Sequence, residues 1–331
     1  MRYIVIIVIL IFNFASAEDT KYGASFLELG VGARPLGMGG AYVALSGDAP
    51  GFYWNPAGLA FQTSFETAFM HADLFKGLET HNYFSASMPI LGGATLSIGA
   101  VGLFIDDIGR RYLDDSDYSG RLNNIYPKLT NTEGSFSSYD IAGFLTFAKF
   151  YKWELDMGWQ YNKIPIEAGF GVNIKYINSK IDDKSGSGGG IDLGFITRVG
   201  FYEIFQEEFL GNFSLGINLQ DIAGTKITWN TDTKHKDKIE HNIKYGIAYA
   251  QPLKFISSQI TFAYDIDTKY EGGTHLGTEF LFRSTLALRA GAFYGRFTAG
   301  AGIYLWKFKV DYAYQSHDLG NCHRVSVLFG M

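Results

Sequence analysis

The sequence predicts an all-β protein: a transmembrane antiparallel β-barrel of about fourteen strands with an N-terminal plug inside its lumen. Three observations lead there. The chain opens with an export signal, apolar side chains then recur with period two from Ser64 onward, and no second apolar run reaches helix-spanning length. A chain that crosses a bilayer without such a helix must close its sheet, because an open edge leaves backbone groups unpaired in lipid.

The signal occupies residues 1–17. Arg2 supplies the positive end, Ile4 to Phe14 the apolar stretch, and Ala15-Ser16-Ala17 a small-x-small cleavage site, so the mature chain begins at Glu18. The apolar stretch is shorter than the roughly 20 residues a spanning helix needs. An uncleaved anchor is the alternative.

Residues 18–62 form the expected plug, or hatch. Their centre runs Gly32-Ala33-Arg34-Pro35-Leu36-Gly37-Met38-Gly39-Gly40, followed by Asp48 and by Asn55-Pro56-Ala57-Gly58. Pro35 fixes φ, the glycines permit left-handed turns, and Asn55-Pro56 starts another turn. Together they make a tightly folded segment able to fit inside a barrel. The glycines match neither G-x-G-x-x-G nor the Walker pattern, and no Lys-Ser or Lys-Thr follows, so a nucleotide loop is set aside.

Residues 63–331 carry the barrel. In Lys307–Gln315, Phe308, Val310, Tyr312 and Tyr314 share one face, and Lys307, Lys309, Asp311, Ala313 and Gln315 the other. Ser258–Ile266 and Asn242–Ala250 repeat the pattern. The second face also holds Gly169, Gly171, Gly194, Gly200, Gly300 and Gly302. Small residues on the inner face let a plug approach the wall. The longer polar connections, Asp106–Ser137 and Gln220–Glu240, follow odd-numbered strands; Arg283-Ser284 and Trp306 are tight turns after even ones. That puts the long loops outside and both termini in the periplasm. Tyr151–Lys163 is long for a periplasmic turn, and Ser185–Gly190 reads as a flexible loop leading into a strand.

Composition agrees. Glycine (40 residues) and aromatics (16%) are abundant and proline (7) is scarce, which suits curved sheets with aromatic girdles better than a helical enzyme. A net charge of −5 argues against nucleic-acid binding. Cys322 is the only cysteine, so no internal disulfide exists.

Candidate chemistry is sparse. His71, His81, His275, His317 and His323 lack metal-ligand spacing. Asp106-Asp107 and Asp114-Asp115-Ser116-Asp117 lack the EF-hand order and read as hydrated loop. No G-x-S-x-G elbow occurs. The expectation is a non-enzyme with no catalytic site, cofactor or metal. Lys175, Arg198, Arg289, Lys307, Lys309, Asp311 and Arg324, with Asp192 and Glu279 among them, are expected to line the lumen as a charged wall, to which Arg34 of the plug could be ion-paired.

The Gly32–Leu45 segment, Asp48 and Trp54-Asn55-Pro56-Ala57-Gly58-Leu59-Ala60 resemble the N-terminal signature of the PorV/PorQ family, a branch of the FadL-like outer-membrane barrels. His71–Gly77, Leu215–Asp221, Val310–Tyr314 and Leu319–Arg324 extend the resemblance over nearly the whole mature chain. It implies a fourteen-stranded outer-membrane barrel with an internal hatch. It leaves two functions open: a part in type IX-like protein secretion or surface attachment, with secretion-machinery or cargo proteins as partners, or a channel for long-chain fatty acids or other hydrophobic small molecules. The chain departs from the usual barrel ending, since Phe329 is followed by Gly330-Met331.

Overall fold

Side-chain alternation over the C-terminal 270 or so residues dictates the architecture, because period two places every second side chain on the same face of a sheet. The computed structural model describes residues 23–110, 134–156, 158, 163–207, 209–269 and 272–331. The expected signal at 1–17 and the acidic run Asp114–Asp117 lie outside the described residues.

The strands are β1 (Glu66–Leu74), β2 (Glu79–Ile90), β3 (Ala94–Gly109), β4 (Ser135–Asp156), β5 (Lys163–Ile181) and β6 (Lys184–Gly200). They continue with β7 (Asn212–Gln220), β8 (Lys226–Trp229), β9 (Lys236–Lys238), β10 (Asn242–Leu253) and β11 (Ser258–Asp267). The last are β12 (Thr274–Phe282), β13 (Leu286–Phe293), β14 (Arg296–Leu305), β15 (Phe308–Gln315) and β16 (Cys322–Gly330).

Fourteen of them close into an antiparallel barrel, with β1 paired to both β2 and β16. The hairpin β8–β9 lies in the connection between β7 and β10, and β8 extends the sheet beside β6. Two-residue connections such as Tyr294-Gly295, with φ of 48° and 75°, have the left-handed geometry that matches strand twist.

The outer face is apolar all round. Phe69, Phe84, Leu96, Leu145, Phe170, Leu215, Ile247, Phe262, Leu288, Ile303, Val310 and Val325 all point outward and are exposed. In water such a continuous belt would be a severe liability; around a closed barrel it is the surface hydrocarbon requires.

Several local expectations need correction. β4 runs on to Asp156 and pairs with β5 down to Lys163, so the supposedly long Tyr151–Lys163 turn is mostly hairpin. The alternation of Tyr151, Trp153 and Leu155 with Lys152 and Glu154 is strand periodicity that continues past the expected edge. The Ser185–Gly190 run is strand as well: it pairs with Lys175–Lys180 of β5, and Gly186 and Ser187 also pair with β8. Gly186 and Gly188 let β8 close in, since a Cβ at either would fall within 3.0 Å of Trp229 or of the Lys226 carbonyl.

The remaining described N-terminal residues lie inside the barrel. They contain a 3-10 turn (Ser25–Glu28), α1 (Ala33–Gly37), α2 (Gly51–Trp54) and a second 3-10 turn (Pro56–Phe61). Val31, Leu36, Met38, Tyr42, Phe52 and Leu59 are essentially inaccessible there.

Candidate functional site: the seat of the inner segment

The inner segment is built from short turns because its composition forbids anything longer. Gly32 (φ 83°) precedes α1, whose first turn tolerates Pro35 because the amide that proline lacks would have no partner there. Gly39 and Gly40, at φ 65° and 74°, end it, with Gly40 N–H donating to the Pro35 carbonyl at 2.9 Å. Asn55 caps the second 3-10 turn by accepting from Ala57 N–H at 3.1 Å, with Pro56 in its first position.

This segment meets the wall on glycines. A Cβ at Gly171 or Gly194 would come within 3.0 Å of Pro56 or Ala57 backbone, and one at Gly169 would strike the Ala57 carbonyl. Gly216 and Gly246 receive Val43-Ala44 in the same way, and Gly277 and Gly291 receive Met38-Gly39. Gly300 faces Gly37, and Gly99 faces the Phe52 ring. Six of these form three direct cross-strand pairs: Gly171 with Gly194, Gly216 with Gly246, Gly277 with Gly291. The lumen is thus lined by a girdle of bare backbone, against which another backbone can lie at van der Waals distance.

Hydrogen bonds fix the position. Asn55 Nδ2 donates to the carbonyls of Val43 (2.9 Å), Phe195 (3.2 Å) and Ile217 (3.3 Å), tying the segment to β6 and β7. Asp265 Oδ2 accepts from the amides of Tyr42 (2.6 Å) and Val43 (2.8 Å). Asn173 and Asn218 donate to the carbonyls of Phe52 and Trp54 at 2.6 and 2.8 Å. Gly58 packs on Ser46, whose backbone a Cβ there would overlap. Replacing Asn55 with Ala should cost about 1–3 kcal/mol, since it leaves buried carbonyls unpaired. Limited proteolysis of the N-terminal segment in the folded barrel should show correspondingly faster cleavage.

Charge does the rest. Arg34 reaches Glu279 of β12 through Nε (3.0 Å) and Nη2 (2.8 Å), and Asp48 through Nη1 (3.2 Å). The Tyr42 hydroxyl donates to Asp48 at 2.7 Å. Arg289 joins Glu279 (2.6 Å) to Asp311 (2.8 Å) and also donates to Tyr304. Arg34, Asp48, Glu279, Arg289 and Asp311 therefore form one buried network between segment and wall. Lys175 stands apart, between Asp192 (2.9 Å) and Asp221 (2.8 Å). Arg198 stacks 3.8 Å over the Phe61 ring and donates to the Ser46 carbonyl. Lys309 is half-buried beside Tyr304, and Arg324 donates to Gln315. Lys307 is a correction: it lies in the β14–β15 turn, over the Trp306 ring, and not on the wall. The strand begins only at Phe308, so the period-two count had been carried one residue too far.

Sequence reasoning missed Asp265, Asn173 and Asn218. Their inward phase was readable, but their role depends on carbonyls far away in the chain. Replacing Asp265 with Ala should loosen the Tyr42-Val43 turn, seen as faster amide hydrogen exchange at those two residues.

The lumen has two characters. On the β1–β4 side Met70, Leu74, Tyr83, Val101, Leu103 and Phe144 meet Phe26, Phe52 and Tyr53 of the inner segment in one apolar cluster. Phe52 packs edge-on against Phe144 at 5.1 Å between ring centres. Most of the charges lie on the other strands, from β5 and β6 round to β15, and Arg324 of β16 borders the apolar side. A cavity of about 50 Å³ lies beside the inner segment, with Glu28, Lys175, Asp192, Asp221, Lys244 and Asp267 among its lining. Among the described residues, every neighbouring pair of barrel strands is hydrogen-bonded. Among the described residues, no group of His, Cys, Asp and Glu is arranged to hold a metal ion.

The class that this geometry defines is a closed β-barrel with a lipid-adapted exterior and a filled interior. No protein-family model and no curated protein matches the chain. Among solved structures, the toluene transporter TbuX of Ralstonia pickettii aligns with a TM-score of 0.47 at 10% identity, over 91% of this chain and 97% of that one. The toluene transporter TodX of Pseudomonas putida gives 0.42 at 12% identity, over 91% and 98%. A KdgM porin complexed with oligogalacturonate gives 0.32 at 9%, over 80% and 99%.

Proposed function

We propose that the protein is an outer-membrane channel of FadL-like type for hydrophobic small molecules, with residues 18–62 acting as its hatch. The apolar seam of the lumen carries this reading. Lumen-facing side chains of barrels are normally polar, yet Met70, Leu74, Val101, Leu103 and Phe144 are apolar and packed against Phe26, Phe52 and Tyr53. A seam of that kind offers an apolar molecule a path beside the hatch, apart from the network of Arg34, Glu279, Arg289 and Asp311. In the structure the seam is filled, so passage requires the hatch to shift.

The test is uptake by a Gram-negative host lacking its own hydrophobe channels. Expression of the barrel should increase entry of a labelled long-chain acid or monoaromatic compound, and Val101→Asp should remove the gain while folded barrel persists. No gain with either probe, at equal amounts of folded protein, would overturn the proposal. Secretion or surface attachment rests on the PorV/PorQ resemblance, and no particular feature of the described external turns favours it.

A further inference from the structure

Among the described residues, one of the two buried arginines of the lumen has no counter-charge. Arg324 of β16 is among the least accessible side chains of the molecule, and its single side-chain hydrogen bond runs from Nη1 to Gln315 Oε1 at 2.9 Å. Its Nε is buried with no hydrogen-bond partner. No carboxylate pairs with it among the described residues, whereas the buried Arg289 and Lys175 each have at least one. An isolated buried charge is strongly unfavourable, and a protein retains one where something neutralises it.

A second unpartnered group lies beside it. His81 of β2 is as deeply buried as Arg324, and neither ring nitrogen has a hydrogen-bond partner. The two residues belong to one cross-strand row: Ala72 of β1 pairs with His81 on one side and Arg324 on the other. Adjacent strands lie about 4.8 Å apart, so the two Cα atoms are separated by about 10 Å across one small side chain. Ala313, opposite Arg324 on β15, is the next residue in the row and equally small.

We propose that Arg324 and His81 hold a small monovalent anion, a halide or a short carboxylate, on the outer half of the lumen wall over Ala72. The guanidinium supplies the charge and its free Nε–H one donor; the imidazole N–H supplies another. A single negative charge balances a single arginine. An apolar occupant would leave both groups as they are, and a cation would add to the charge. This site is independent of the transport reading, since it rests on the wall alone.

The test is bromide. Crystals of the full barrel grown in sodium bromide, measured near the bromine edge, should show an anomalous peak within hydrogen-bonding reach of Arg324 and His81. The same peak should be absent from Arg324→Met crystals. In detergent, the midpoint of heat unfolding should rise saturably with bromide but not with isethionate at equal ionic strength, and should lose this response in Arg324→Met or His81→Leu. Formate that displaces the bromide peak would assign the site to carboxylates as well as halides; formate that leaves it would restrict the site to halides. A row without a peak at saturating bromide, or a peak that persists in Arg324→Met as an adventitious ion, would overturn the proposal. The wild-type diffraction result stands even if a variant fails to fold.

Discussion

Gly171→Leu is expected to leave the barrel folded and its pore open. Gly171 faces Pro56-Ala57 and pairs with Gly194, and even a Cβ there would come within 3.0 Å of the Ala57 amide and the Pro56 carbonyl group. Those are backbone atoms, which cannot swing aside as the end of a long side chain can. The strand itself has no reason to fail. β5 is 19 residues long and paired on both sides, and leucine suits a strand better than glycine does. The misfit must therefore be relieved by moving the inner segment. In planar bilayers the wild type should be nearly silent and the variant should show a sustained conductance, with the heat-modifiable mobility of the folded barrel retained on gels. Gly143→Leu is the control, because nothing lies within 4 Å of a Cβ at that position. If Gly171→Leu remains as closed as Gly143→Leu, the glycine girdle is not what seats the segment.

Glu279→Leu should be the most damaging single change to stability. It removes the partner of Arg34 at 2.8 Å and of Arg289 at 2.6 Å, where Glu279 and Arg289 are buried and Arg34 is partly exposed. Breaking a buried pair costs about 3–5 kcal/mol, because the surviving charge keeps its desolvation penalty and loses its compensation. Arg34 retains Asp48 and Arg289 retains Asp311, which holds the loss within that range. Urea unfolding in lipid vesicles would measure it. Adding Arg289→Met should cost less than the two single losses summed, since members of one network are not additive. A loss no larger than that of an exposed surface substitution, about 0.5 kcal/mol, would mean that water reaches the network.

The strand count was legible because alternation is a local signal repeated many times. Phe308, Val310 and Tyr312 declare one face without reference to anything else in the chain. Edges were less legible: Lys307 continues the alternation yet lies in a turn, and Ser185–Gly190 carries no apolar marker although it pairs with β5 throughout and with β8 at Gly186 and Ser187. The inward phase of Gly169, Gly171 and Gly194 could be read, but their partners could not. Pro56 and Ala57 lie more than a hundred residues away, and no periodicity reports a contact of that span. The same holds for Arg324 and His81, which share one cross-strand row only because the first strand closes on the last.

The barrel is taller on one side than the other. β4 and β5 have 22 and 19 residues, while β13 and β15 have 8 each. Eight residues extend about 27 Å along the strand, and less along the membrane normal once the usual tilt is allowed for. In a bilayer, lipids beside β13–β15 would meet shorter strands than those beside β4–β5, and their acyl chains would shorten or disorder to match. A dimple in the leaflet along that flank would favour neighbours with the same mismatch, giving lateral association a direction in the plane of the bilayer.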